Sequence, residues 1–241
     1  MTIATPRISA AKLAEYVVTS SARRRRTILF QQADPPVHIV DRYKIVSHAI
    51  AKCIASKDRD EVNAALATIR KRAKAPRNER HLQRLKDAQD ALNVFESIYS
   101  SRVFSGLEVS RFFRRLPYLN VSGVDVIVKP ELLLHDRRAE PPRVGCAKAY
   151  ISKSHPLDED SQKYLGTLLH WFAEEHLQFL GSADPAICYI IDVFGGSYIA
   201  APRTYRSRRK NLLSACEEIA DRWPQIIKKL AEADAEYETT E

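Results

Sequence analysis

No stretch of this 241-residue chain gathers the ~20 apolar residues needed to cross a bilayer. A membrane protein is therefore not expected, and no membrane partner is assigned. The opening Met1-Thr2-Ile3-Ala4-Thr5-Pro6 lacks the hydrophobic centre of a secretory signal. The expected location is cytoplasmic. Cysteine is sparse: Cys53, Cys146, Cys188 and Cys216 stand far apart, with no CxxC and no Cys/His cluster. That leaves a zinc site unsupported and points to free thiols. His170 and His176 are six residues apart, on different faces of a helix, and read as structural. No internal repeat is present.

What is there is ordinary for a globular chain: 45% hydrophobic and 28% charged residues. The length suffices for one large core, or a core with a helical appendage. The net charge of +8 is unevenly spread. Residues 1–118 hold 23 Lys and Arg against 11 Asp and Glu, a net +12; the remainder holds 15 against 19, a net −4. Such polarity fits a half that faces a polyanion, and equally a set of solvated helix faces.

Residues 1–118 read as helical throughout. Ile8 and Leu13 around Ser9 fit a hydrophobic staple over a serine N-cap. Pro35-Pro36 opens a segment in which Ile39, Tyr43, Val46, Ile50 and Cys53 recur at helical spacing. An amphipathic helix is expected over about 77–99, with Leu82, Leu85, Leu92, Phe95 and Ile98 as its stripe. At Pro117 the pattern changes. Val124, Val126 and Val128 alternate as in a strand, which Leu132-Leu133-Leu134 continues, and residues 144–151 form another.

Asp158 should cap a helix bearing Leu165, Leu168, Leu169 and Phe172. Residues 186–193 and 197–200 flank Gly195-Gly196 as a hairpin. Asp192 could cap its turn. A final helix starts near Tyr205, kinked or split by Pro224, and the acidic residues from Glu232 onward should fray. The class is α+β: a helical N-terminal region, then a small mixed sheet flanked by helices. The expected division is a basic helical region at 1–118, an α/β core at 119–230 and an acidic tail at 231–241.

Residues 123–152 carry the chemistry. Pro130-Glu131 and Gly145-Cys146-Ala147-Lys148 bring one carboxylate and one lysine onto adjacent strands. Phosphodiester hydrolysis needs hard oxygen ligands for Mg²⁺, a positioned water and positive charge near the developing oxyanion. The order Gly123-Val124-Asp125-Val126, Pro130-Glu131, then Gly145-Cys146-Ala147-Lys148-Ala149-Tyr150 before a helix resembles the PD-(D/E)XK nuclease superfamily. Within it, the order is most similar to the recombination-exonuclease branch, over about residues 119–200.

The resemblance implies a restriction-endonuclease-like core. It implies Glu131 as the first acidic residue and metal ligand, and Lys148 as the lysine that orients water. Cys146 falls where the second acidic residue should stand, and a soft thiol suits Mg²⁺ poorly. Asp125 cannot substitute on an unbroken strand, being ~20 Å from Glu131. Related nucleases often add a helical glutamate, which makes Glu108 the expected second metal ligand. Read without the resemblance, Glu131 ends a strand and pairs locally, Lys148 is a snorkelling or edge lysine, and Cys146 is a small buried hydrophobe.

Three basic clusters complete the reading: Arg23, Arg24, Arg25 and Arg26; Arg111, Arg114 and Arg115 around Phe112-Phe113; and Arg206, Arg208 and Arg209 beside Tyr205, with Arg203 and Lys210. Arginine supplies phosphate contacts and aromatic rings stack bases. The expected partner is nucleic acid, DNA ahead of RNA. The alternatives are a non-catalytic binding module with a degenerate site and a component whose helical half docks an acidic protein.

Overall fold

The chain enters its fold through a strand. In the structure, a computed structural model, residues 5–35, 43–112 and 118–238 are described. Pro36, Ile39, Phe113, Arg114, Arg115, Pro117 and residues 239–241 lie outside these segments. Strand β1 (Arg7–Ser9) runs into α1 (Ala10–Val18), and the Ser9 hydroxyl caps it by accepting from the Lys12 amide. Ile8 and Leu13, on either side of the cap, are fully buried, as the staple requires. Next come α2 (Ala22–Ala33), α3 (Lys44–Ser56), α4 (Asp60–Ala73) and α5 (Glu79–Ile98). The last is the long amphipathic helix expected from its stripe, with Leu85, Leu92 and Phe95 buried.

Residues 1–118 are not helical throughout. Besides β1 they include β2 (Glu108–Arg111), which lies antiparallel along an outer edge of a sheet. Strands of three and four residues are too short to show a period, so only pairing reveals them. β3 (Leu119–Val121) and β4 (Val124–Ile127) form a hairpin over Ser122-Gly123. Both turn residues have positive φ, 46° and 79°, as a type I′ turn demands. β4 also pairs in parallel with β1, giving a three-stranded sheet in the order β1-β4-β3.

The expected continuation of β4 into Leu132-Leu133-Leu134 does not occur. Lys129 takes a φ of 45°, and the chain passes into a second, six-stranded sheet. That sheet holds β5 (Leu132–Asp136), β6 (Arg143–Tyr150), β7 (Ser182–Ala183), β8 (Tyr189–Asp192) and β9 (Ser197–Ala200). Its order is β2-β5-β6-β8-β9, with β7 against β6.

β5 and β6 form an antiparallel hairpin, and β6 connects to the parallel β8 through α6 (Glu159–His176). Asp158 caps α6, accepting from the Ser161 amide at 2.7 Å. The β8–β9 turn is closed by Asp192, which accepts from the Gly195 amide at 3.0 Å. A Cβ on Gly195 would meet that carboxylate at 2.5 Å, so this glycine is there for room. Helix α7 (Tyr205–Glu238) runs through Pro224 without splitting, and residues 232–238 belong to it.

The architecture is mixed α and β, with two mixed sheets and seven helices among the described residues. Two apolar clusters hold it together. One joins Ile8, Leu13 and Leu29 to Val124 and Val126, to Leu168 and Phe172 of α6, and to Trp223 of α7. The other packs Ile50, Ile69, Leu92 and Phe95 of the middle helices on Leu132, Leu134, Ala147 and Ile191 of the larger sheet. Residues from both sides of position 118 share each cluster. No helix among the described residues is long and apolar enough to cross a membrane.

Candidate functional site

The β5–β6 register fixes the site. Leu132 lies opposite Ala147 and Leu133 opposite Cys146, so Glu131, one step earlier, faces Lys148 across the hairpin. Backbone bonds extend the sheet through Glu131: its amide donates to Ala147 O at 2.9 Å, and its carbonyl accepts from Phe112 at 3.0 Å. The two side chains share a face, with Lys148 Nζ 3.7 Å from Glu131 Oε1. Lys148 Nζ also donates to the Lys129 carbonyl at 2.9 Å. Glu131 Oε2 accepts from the Ala149 amide at 2.9 Å. Each side chain is only about one-fifth exposed (18% and 20%), which makes Lys148 a paired lysine. Burial pushes the Glu131 carboxyl above its ordinary range, while the Lys148 charge and the backbone amides pull the other way.

Cys146 sits two residues from Lys148 and therefore on the same face of the strand. It is fully buried, and its Sγ lies 3.6 Å from the Leu169 carbonyl of α6. Burial, then the neighbouring Cys188 thiol, holds its pKa well above the usual thiol range. It is a neutral packed thiol. All four cysteines are free and buried.

Glu108 lies on strand β2 instead of on a helix, opposite His135, and its carboxylate is 2.6 Å from Arg137 Nε. Four strand residues separate its register position from that of Glu131, roughly 13 Å. The expected pairing of Glu108 with Glu131 at one metal is not formed. Asp125 is in the other sheet, accepting from Asn120 at 3.1 Å.

Among the described residues no three His, Cys, Asp or Glu group as a metal site. The donors at hand are one carboxylate engaged at both oxygens and one buried soft thiol. They do not fit an octahedral, oxygen-demanding Mg²⁺.

The basic clusters divide. Arg24 pairs with Glu15. Arg25 reaches Glu218 at 3.5 Å, donates to Thr19 O at 2.9 Å and covers the Tyr16 ring. Arg23 and Arg26 are exposed, with no ion pair among the described residues. Arg111 is half-buried on β2, and its charge, after burial, lowers the pKa of His48. Arg114 and Arg115 lie outside the described residues.

At the third cluster, Arg209 is held between the rings of Trp171 and Tyr205 and paired with Glu174, which also approaches the buried His170. Arg208 covers Tyr164 and donates to Thr204. Arg206 is exposed. Arg209 therefore joins α6 to α7.

The denser free charge is elsewhere. Residues 70–86 hold Arg70, Lys71, Arg72, Lys74, Arg77, Arg80, Arg84 and Lys86 against the single carboxylate of Glu79. None of the eight has an ion pair among the described residues, and all but the half-buried Arg84 are exposed. The signal was in the sequence as charge density, but it is spread over two helices and shows no unbroken run. Comparison of the chain with family models, curated proteins and solved structures found no match.

Proposed function

We propose that this protein binds nucleic acid, DNA ahead of RNA, and carries a PD-(D/E)XK-like hairpin whose metal site is degenerate. The observation that carries the reading is the cross-strand placement of Glu131 and Lys148, 3.7 Å apart on one face with Cys146 beside them. That is the order and facing of the superfamily's acid and lysine, with a thiol in the second acidic position. Binding is favoured over cleavage because both Glu131 oxygens are engaged within the protein and the thiol is buried against α6. The same reading places the protein in the cytoplasm, where its free thiols stay reduced.

The test has two arms. Fluorescence anisotropy with labelled single- and double-stranded oligonucleotides should show affinity that falls linearly in log–log form with salt. The same substrates, incubated with Mg²⁺ or Mn²⁺, should remain intact. Lack of affinity at low salt refutes the reading and leaves the helical half to an acidic protein partner.

Convergence of the acid and lysine also favours a second reading, a weak metal-dependent nuclease. Cys146→Asp would then add a hard oxygen ligand and raise cleavage. Lys148→Ala would abolish cleavage with binding retained, because a lysine acting on the transition state contributes little to ground-state affinity. If the wild type does not cleave and Cys146→Asp restores nothing, this second reading fails.

A further inference from the structure

The α4–α5 hairpin gathers eight cations and one carboxylate within 17 residues, Arg70 to Lys86 by number 70–86, on two helices and their connecting turn. A solvated helix face explains part of this. Arg70, Lys71 and Arg72 sit in the last turn of α4, where the helix dipole favours positive charge. The α5 half is different. Arg77 precedes and Arg80 occupies the first turn of α5, the end where the dipole opposes cations. Neither has a carboxylate partner among the described residues, and the mutual repulsion of eight like charges is left to solvent and salt. An external polyanion removes both penalties.

We infer that the α4–α5 hairpin is the protein's phosphate-contacting arm and that it binds the backbone of a nucleic-acid duplex. The inference rests on the nucleic-acid reading above and moves its contact surface away from the arginine runs. Duplex is favoured over single strand by composition: residues 69–87 contain no Phe, Tyr or Trp on which unpaired bases could stack. Spacing agrees. Arg80 and Arg84 stand one helical turn apart on α5, about 6 Å along its axis, so both can reach the backbone of one strand. The arm is also tied to the hairpin that carries Lys148: Asp90 of α5 pairs at 2.9 Å with Lys153, just past the end of β6.

The experiment uses the full chain and a variant with Lys71, Lys74, Arg77 and Arg80 all changed to Ala. These side chains are exposed and unpaired, and Ala favours helix, so thermal unfolding should match wild type. Binding to a 30-base-pair duplex of arbitrary sequence is followed across a salt series. The variant should lose about 10²–10³-fold in affinity at 0.1 M salt, and its log–log slope should fall by roughly 3–4, one phosphate contact per lost cation. A control with Arg23→Ala and Arg26→Ala should lose far less.

Wild-type binding with an unchanged slope in the quadruple variant overturns the arm and leaves the nucleic-acid reading standing. No binding by the wild type to any oligonucleotide removes both. Preference for single strands overturns the duplex assignment. Equal affinity of the arm for poly-glutamate would assign it to an acidic protein partner instead.

Discussion

Lys148 lies between Ala147 and Ala149 in a stretch, residues 144–149, that is otherwise apolar, and its ammonium is held by a carboxylate and a carbonyl. The oddity of a lysine there, and of a carboxylate one residue past a proline, was visible in the residues alone. What could not be read was how completely the two close on each other. That depends on the Ala149 amide and on the Lys129 carbonyl, presented by a residue at positive φ, and neither leaves a mark in composition.

Removing the lysine tests the closure. Lys148→Met leaves a mostly buried carboxylate with one amide for company, and should cost about 3 kcal/mol at pH 7, the low end for a broken buried pair because the group keeps some exposure. Glu131 titrates above its unfolded value, so the folded state takes up a proton first as pH falls. Protonation therefore adds stability as pH drops through the folded pKa, and the gain is complete below the unfolded one. The deficit of Lys148→Met should shrink towards pH 4.5 in urea unfolding curves. A deficit constant from pH 7 to pH 4.5 would mean that the carboxylate is not the group left unpaired. Glu131→Gln keeps an acceptor for Ala149 and should cost less, about 1 kcal/mol.

Among the elements, the long ones were legible and the short ones were not. The stripe of α5, the Asp158 cap of α6 and the Gly195-Gly196 turn each announce themselves through period or turn chemistry. β1 and β2 exist because β4 and β5 offer them edges, which no local pattern records. The same is true of the break after Val128, where apolar residues on both sides read as one strand but belong to two sheets.

The contact between β6 and the turn before β8 is as close as backbone allows. A Cβ on Gly145 would lie 2.2 Å from the Ile187 carbonyl oxygen. Gly145→Ala must push the chain ahead of β8 outward, and should lower stability by about 3 kcal/mol, the upper end of overpacking costs. Thermal unfolding within 2–3 °C of wild type, roughly what a change below 1 kcal/mol gives in a chain this size, would show that the segment yields freely.

At the scale of the molecule, charge and core follow different maps. The cations concentrate in residues 1–118, yet the cores mix that region with the rest. Helices α3, α4 and α5 bury their apolar faces on Leu132, Leu134 and Ile191 of the larger sheet. A fragment of residues 43–112 loses that floor and should show no cooperative unfolding by circular dichroism, despite its helical propensity. A sharp two-state transition for the fragment would mark it as an independent unit.

The pairing of β1 with β4 also sets a timetable for synthesis. Arg7 is registered with Asp125, so the first strand leaves the ribosome 118 residues ahead of the one it pairs with. At ordinary elongation rates of about 5–20 residues per second, that is a wait of roughly 6–24 s. The core containing α1 waits longer still, until Trp223 and Ile226 arrive. During that interval Ile8, Leu13 and Leu29 have no partners in their core outside residues 8–33, and their exposure on the nascent chain invites holding by a chaperone. Strand β1 and helix α1 are made well ahead of their partners and are among the last elements to be enclosed.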